Sequence, residues 1–270
     1  MKSSALWGVV VSCALIAGCR EEPGPAPSLS ELKPKPLPSI SELVPSEGGA
    51  GPEKLFEVEA APVWGDEPPA DAVRITPEGT RASVEGAVLD TNAPEFAGEL
   101  RAQLGENRPV LLVPDADTFL AQAAPLLAAL DDLDIETWLL HPDGKVAFKL
   151  RLRDEPSFQA WLDAATPGRI RMIHRADGYE LQTAVGKLSG PDPNGPTVPL
   201  RGGKWDIARL RASLQALKGR FTQSEDTCIV PSFGMELQTT ARALTAYYAA
   251  PRERIFDELC LVYPRTAARR

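Results

Sequence analysis

Hydrophobic and polar residues along this chain alternate in blocks that predict two similar groups of strands and helices. The first group occupies residues 72–141 and opens with two short runs of alternating polarity around Gly79, which is typical of a β-hairpin. Helical spacing follows, then a continuous apolar run that indicates a buried strand, then helical spacing again. The predicted hairpin, helix, strand, helix and strand cover residues 73–89, 96–104, 109–114, 119–133 and 135–140.

The same order of elements recurs in residues 169–264, where an Asp-Gly pair gives a strong hairpin signal. Alignment of Val113 with Val230 also superposes apolar positions of the helices that follow. Leu120 then coincides with Leu237. Agreement in both element order and apolar positions predicts an internal repeat. The predicted elements of this second group cover residues 170–185, 207–217, 227–231, 237–248 and 258–263.

Residues 142–168 connect the two groups. Phe148 and Leu150 alternate with polar residues, which indicates a half-buried strand over residues 145–152. A short helix over residues 156–164 follows this strand. Together these patterns predict an α+β fold of two related small domains, each a mixed sheet with helices packed on it.

The start of the chain has the features of a secretory signal. Lys2 precedes an apolar stretch over residues 5–17, which ends in small residues before Cys19. The stretch is shorter than the about 20 residues that a membrane-spanning helix needs. Residues 1–18 are therefore predicted to be the signal peptide of a bacterial lipoprotein, with acyl chains on Cys19 as the membrane anchor. The alternatives are a secreted protein cut near Gly18 and an uncleaved apolar N-terminus.

The lipoprotein interpretation places the mature chain in the cell envelope, facing the periplasm. Arg20 stands where an aspartate would retain a lipoprotein of enteric bacteria in the inner membrane, so the outer membrane is favoured. Residues 19–70 are rich in proline and glycine and are predicted to form a disordered tether. Residues 265–270 form a basic tail. The net charge of −8 argues against nucleic acid as a partner.

The four cysteines divide by position. Cys13 lies in the signal peptide and Cys19 is the lipidation candidate, which leaves Cys228 and Cys260 in the folded part. These two lie in predicted strands joined by one helix, so they can be neighbours in a parallel pair. In an oxidising compartment they can form a disulfide, and the alternative is two separately buried thiols.

Candidates for chemistry are few. Asp115 and Asp117 follow a buried strand at a position where α/β folds often bind ligands, so they are the ligand candidates. Their alternative role is to cap the next helix. His141 and His174 are expected on the surface, and neither lies in a motif with zinc-ligand spacing. The sequence therefore predicts no catalytic residue, no metal site and no cofactor.

The order hairpin, helix, strand, helix, strand resembles the periplasmic domain of the ExbD/TolR biopolymer-transport family, over residues 72–141 and again over 169–264. The resemblance rests on the turns at residues 77–79 and 176–178, on the helices containing Glu99-Leu100 and Arg209-Leu210, and on the apolar strand with its acidic turn at residues 110–117. Members of this family cross the inner membrane once, carry an aspartate in that helix for proton-driven motors, and work as dimers.

The chain departs from this family in two places. Its N-terminal apolar segment has no acidic residue and is predicted to be removed, so the proton-coupling role does not carry over. The second group has Ser232-Phe233-Gly234 where the first has Asp115-Ala116-Asp117. The resemblance then implies contact with a periplasmic protein or with peptidoglycan, made by two copies that can pack as an internal pseudo-dimer.

We therefore expect a lipid-anchored envelope protein that acts as a non-catalytic binding module, with a link to a biopolymer-transport system. One alternative is an envelope hydrolase that uses Asp115 and Asp117. Another is a lipoprotein that binds a small molecule in a cleft near the same residues. Carboxyl groups with perturbed pKa values in a pocket would favour the enzyme, and exposed sheet edges would favour the binding module.

Overall fold

The computed structural model describes residues 61–105, 108–164, 168–232 and 234–264. These ranges contain five α-helices, a 12-stranded mixed sheet and a two-stranded sheet, so the predicted α+β class is confirmed. The predicted signal peptide, the lipidation candidate Cys19, most of the tether and the basic tail lie outside the described residues. In the described ranges, every helix is too short or too polar to cross a membrane.

Both halves contain the predicted hairpin, helix, strand, helix and strand in that order, with additional short strands among them that the sequence did not predict. The first half contains β1 (Val73–Glu78), β2 (Arg81–Val84), β3 (Ala87–Asp90), α1 (Phe96–Leu104), β4 (Val110–Leu112), α2 (Leu120–Asp132) and β5 (Thr137–Leu140). The connecting segment contains β6 (Ala147–Asp154) and α3 (Glu155–Asp163). The second half contains β7 (Ile170–Arg175), β8 (Gly178–Thr183), β9 (Gly186–Lys187), β10 (Val198–Pro199), α4 (Ile207–Arg220), β11 (Asp226–Pro231), α5 (Leu237–Leu244), a 3-10 turn (Thr245–Tyr247), β12 (Tyr248–Ala250), β13 (Glu253–Arg254) and β14 (Glu258–Tyr263).

The two halves share strand order and register. The order is β2-β1-β4-β5 in the first half and β8-β7-β11-β14 in the second, with β3 and β10 as outer strands. Parallel pairing places Val73 beside Val110, and in the second half it places Ile170 beside Thr227. Because each crossover runs through a helix, neighbouring strands of each half can be parallel.

Strand β6 joins the two halves into one sheet. It pairs antiparallel with β5 and parallel with β14. Phe148, Leu150 and Leu152 face the main core, whereas Lys149 and Arg151 alternate with them and are exposed. The two small sheets predicted from the sequence are therefore adjacent parts of one continuous sheet.

Helices cover the two faces of the sheet unequally. Helices α1, α2, α4 and α5 bury leucines against one face, among them Leu100, Leu126, Leu214 and Leu244. Each fully buried side chain of this size contributes roughly 2 kcal/mol through removal from water. Helix α3 lies on the other face of the second half, where Trp161 packs against the cysteine pair.

Cys228 and Cys260 form a disulfide. They are register partners in the β11–β14 pair, and their Cα atoms lie 4.4 Å apart, at the short end of the range for such bonds. The α5 crossover brings the two strands side by side, as the spacing of the cysteines predicts. Of the two alternatives for these cysteines, a disulfide or two separately buried thiols, the structure contains the disulfide.

Candidate functional site

A cleft of about 700 Å³ opens where the end of α2, the middle of β6 and the chain leading into β14 meet. Leucine and isoleucine side chains form part of its wall, among them Leu130, Ile135 and Leu259. Its charged groups come from three segments that are distant in sequence. The carboxylates are Asp131, Asp134, Glu136, Asp257 and Glu258, and the cations are Lys149, Arg151 and Arg254.

Two exposed ion pairs span the strands of the cleft. Lys149 Nζ lies 2.5 Å from Glu136 Oε2, and Arg151 Nη1 lies 3.1 Å from Glu258 Oε1. The hydrogen bond from Lys149, with a second one from Trp138, lowers the pKa of Glu136. Exposed pairs of this kind stabilise a fold by only about 0–1 kcal/mol, so a ligand that replaces one partner loses little.

Asp131 stands in a different environment at the end of α2. Its carboxylate accepts a hydrogen bond of 2.7 Å from the Tyr263 hydroxyl. Partial burial raises the pKa of Asp131, although the hydrogen bond from Tyr263 acts in the opposite direction. Burial and the hydrogen bond to the same carboxylate raise the pKa of Tyr263. Asp131 thus contributes a partly buried carboxyl group beside the exposed charges.

Asp134 reaches the cleft because the chain turns sharply after α2. Its φ of 53° lies in the left-handed region, which aspartate tolerates better than most residues. The Ile135 N–H then donates to the carbonyl of Leu130, closing the end of the helix. The acidic residues at this helix end, Asp131 and Asp134, therefore supply one wall of the cleft.

The cleft presents charged groups of both signs. It can therefore form reversible ionic contacts with a ligand that carries both charges. The described residues that line the cleft include no histidine, cysteine or serine. Among the residues that the structure describes, no group of three or more histidine, cysteine, aspartate and glutamate side chains is placed to hold a metal ion. The carboxylates and cations of the lining are suited to charge-assisted hydrogen bonds with a ligand.

The ligand candidates Asp115 and Asp117 lie elsewhere, exposed on the loop between β4 and α2. The Asp115 carboxylate accepts the neighbouring Ala116 N–H at 2.7 Å. The prediction that these aspartates cap α2 is wrong, because the N-cap is Phe119 and Gln122 supplies the side-chain acceptor for its N–H. Thr118 and Phe119 pair with the second half of the chain, so the helix begins only at Leu120.

The prediction that both histidines lie on the surface is also wrong. His141 is 7 % exposed, and its ring lies 2.9 Å from the Asp143 carboxylate. His174 is fully buried between the rings of Tyr179 and Trp205, with centroid distances of 4.8 and 4.5 Å. Burial lowers the pKa of His174 to about 3, so the ring is neutral. Neither histidine lines the cleft.

No known family has a sequence model that matches this chain, and a search of curated proteins also found no match. The resemblance to the ExbD/TolR family therefore stays a prediction that rests on element order and loose motifs. The cleft must be interpreted from its own geometry.

Proposed function

We propose that this protein is a lipid-anchored, non-catalytic binding module of the cell envelope, linked to biopolymer transport, whose partner is a periplasmic protein or peptidoglycan. The observation that carries the proposal is the cleft between α2, β6 and the start of β14. It offers carboxylates and cations side by side on exposed strands, and both kinds of partner present peptides with ammonium and carboxylate groups.

The disulfide supports the proposed location. Bridges such as Cys228–Cys260 form and persist mainly in oxidising compartments, which include the bacterial periplasm. The lipobox-like sequence before Cys19 supports attachment to a membrane, and Arg20 favours the outer one. The proline-rich segment that follows gives the folded part reach from such an anchor.

A hydrolase is the second candidate, with its site in the cleft and not at the exposed Asp115 and Asp117, because of one observation in the cleft. The pKa of Asp131 is raised and that of Glu136 is lowered, which is the pattern of an acid and base pair. The lowered value of Glu136 follows from an exposed ion pair, however, which favours binding. Release of soluble fragments from purified peptidoglycan by the wild type, and its loss in Asp131→Asn, would decide for the hydrolase.

Co-sedimentation of the full-length protein in detergent with purified peptidoglycan tests one branch of the proposal. The Asp134→Asn, Asp257→Asn double variant removes two carboxylates from the cleft. Loss of two charge-assisted hydrogen bonds worth about 1.5–3 kcal/mol each predicts at least about hundredfold weaker binding. Asp115→Asn with Asp117→Asn is the matched control, since it makes the same charge change outside the cleft. Equal loss in both double variants would contradict a role for the cleft.

A further inference from the structure

The chain enters the folded part through residues 62–67, which we call the strap. The strap is held by hydrogen bonds to the second half and to the connecting strand β6. The Trp64 N–H donates to the Thr245 hydroxyl at 2.6 Å, and that hydroxyl donates to the Trp64 carbonyl at 2.8 Å. Asp66 and Ala147 exchange both of their backbone hydrogen bonds, at 3.1 and 2.9 Å. An extended segment is therefore fixed across the junction of the two halves.

Side chains of the strap reinforce this attachment. The Arg211 guanidinium lies 3.8 Å from the centre of the Trp64 ring and donates to the Pro62 carbonyl at 2.8 Å. Gly65 sits so close to β6 that an added Cβ would lie 2.9 Å from the Val146 Cβ. Real Cβ atoms do not approach this closely, so any larger residue at this position lifts the strap or displaces the strand.

Asp66 connects the strap to the cleft. Its carboxylate accepts the Tyr248 hydroxyl at 2.8 Å and Arg254 Nε at 3.0 Å. Arg254 is itself a lining residue of the cleft, and its Nη1 donates to the Asp257 carbonyl at 3.3 Å. The Asp66 carboxylate therefore binds Arg254. Among the described lining residues, Arg254 is the only cation from the segment before β14.

We propose that the strap is a releasable latch that sets the charge and rigidity of the cleft through the Asp66–Arg254 pair. The docked strap occupies Arg254 and fixes the loop before β14. A lifted strap frees the guanidinium for a carboxylate of a bound peptide. Asp66 is therefore a positioning residue that acts through Arg254. The role of the latch in binding rests on the proposed function. The coupling between the strap and Arg254 does not depend on any ligand.

Hydrogen exchange of the full-length protein in detergent tests the coupling without any ligand. Asp66→Asn removes the charge that holds Arg254, and Gly65→Ala forces the strap and the start of β6 apart without changing any charge. Both variants are expected to raise amide exchange in residues 62–67 and 253–259 by about tenfold or more, with the β7–β8 hairpin unchanged. Glu67→Gln is the control, because Glu67 pairs with Arg252, and both side chains are largely exposed.

A spectroscopic readout separates positioning from a general loss of stability. The Arg254 Nε–H resonance, identified by its absence in Arg254→Lys, should shift and exchange faster in both strap variants. Faster exchange in the strap with an unchanged Arg254 signal and unchanged residues 253–259 would overturn the proposal. The proposal would also be overturned if neither variant raised amide exchange in the strap. Coupling without any binding to peptidoglycan or protein would instead contradict the proposed function and leave the latch intact.

Discussion

Phe119 and Glu236 form an antiparallel bridge between the N-caps of α2 and α5. They are equivalent residues in the alignment that superposes the two halves of the sequence. The hydrogen bonds around them are reciprocal, because the Leu120 N–H donates to the Met235 carbonyl at 2.9 Å and the Leu237 N–H donates to the Thr118 carbonyl at 2.8 Å. Equivalent residues of the two halves thus contact each other, as expected for two halves related by an approximate two-fold axis.

Leu120→Pro tests the contribution of this bridge. Proline is accepted at the first residue of a helix but has no N–H, so it removes one of the two reciprocal hydrogen bonds. Leu120→Ala is the control, because it loses the buried side chain and keeps the N–H. The proline variant should be less stable than the alanine variant by about 1 kcal/mol in urea unfolding. A proline variant as stable as the alanine variant would contradict this account.

His174 should make the protein sensitive to acid. The ring titrates near pH 6.5 when unfolded, whereas burial lowers the folded pKa to about 3. The unfolded state therefore binds the extra proton, and stability present above pH 6.5 is lost as the pH falls toward 3. The slope reaches about 1.4 kcal/mol per pH unit for one proton. His174→Phe should lack this part of the slope in unfolding measured from pH 7 to 4.5, and an identical slope would refute it.

The disulfide should contribute measurably to stability. It closes a loop with a sequence separation of 32 residues, for which loop-closure entropy predicts about 3–4 kcal/mol. The double variant Cys228→Ala, Cys260→Ala should lose an amount of this order in urea unfolding. Mass mapping of the unreduced wild type should find the two cysteine peptides linked. Complete alkylation of both thiols without reductant would show that the bridge is absent.

Cys19 should carry the membrane attachment. Cys19→Ala removes the site of acylation, so the variant should leave the membrane fraction of cells, where the wild type stays. Labelled palmitate should be incorporated into the wild type alone. A wild type without label, together with a variant that still sediments with membranes, would refute the lipoprotein interpretation.

Local patterns predict much of this fold, because alternation and helical spacing report which face each element buries. They also predict equivalent positions in the two halves, such as Leu120 and Leu237. The two partners of β6 could not be predicted, since strand pairing depends on contacts that are distant in sequence. Burial of His174 was predictable in principle, because Ile170 and Met172 precede it at spacings of two on an inward-facing side of β7.

The candidate site was much harder to predict from the sequence than the fold. Its charges lie near residues 131–136, 149–151 and 254–258, and each group alone has the pattern of a solvated surface. Only the junction at β6 brings them together. Asp115 and Asp117 follow β4 at a position typical of ligand sites, but the loop that carries them pairs with the second half through Phe119, and both aspartates are exposed.

Photo-crosslinking in intact cells tests the central claim most directly. A photoreactive residue is placed at Asp134 in the cleft or at Asp117 on the exposed loop, in the otherwise unchanged full-length protein. The account predicts adducts with one periplasmic protein or with peptidoglycan from position 134, which Asp257→Asn weakens, and none from position 117. Adducts from position 117 alone, or from neither position, would contradict the assignment of the cleft as the binding site.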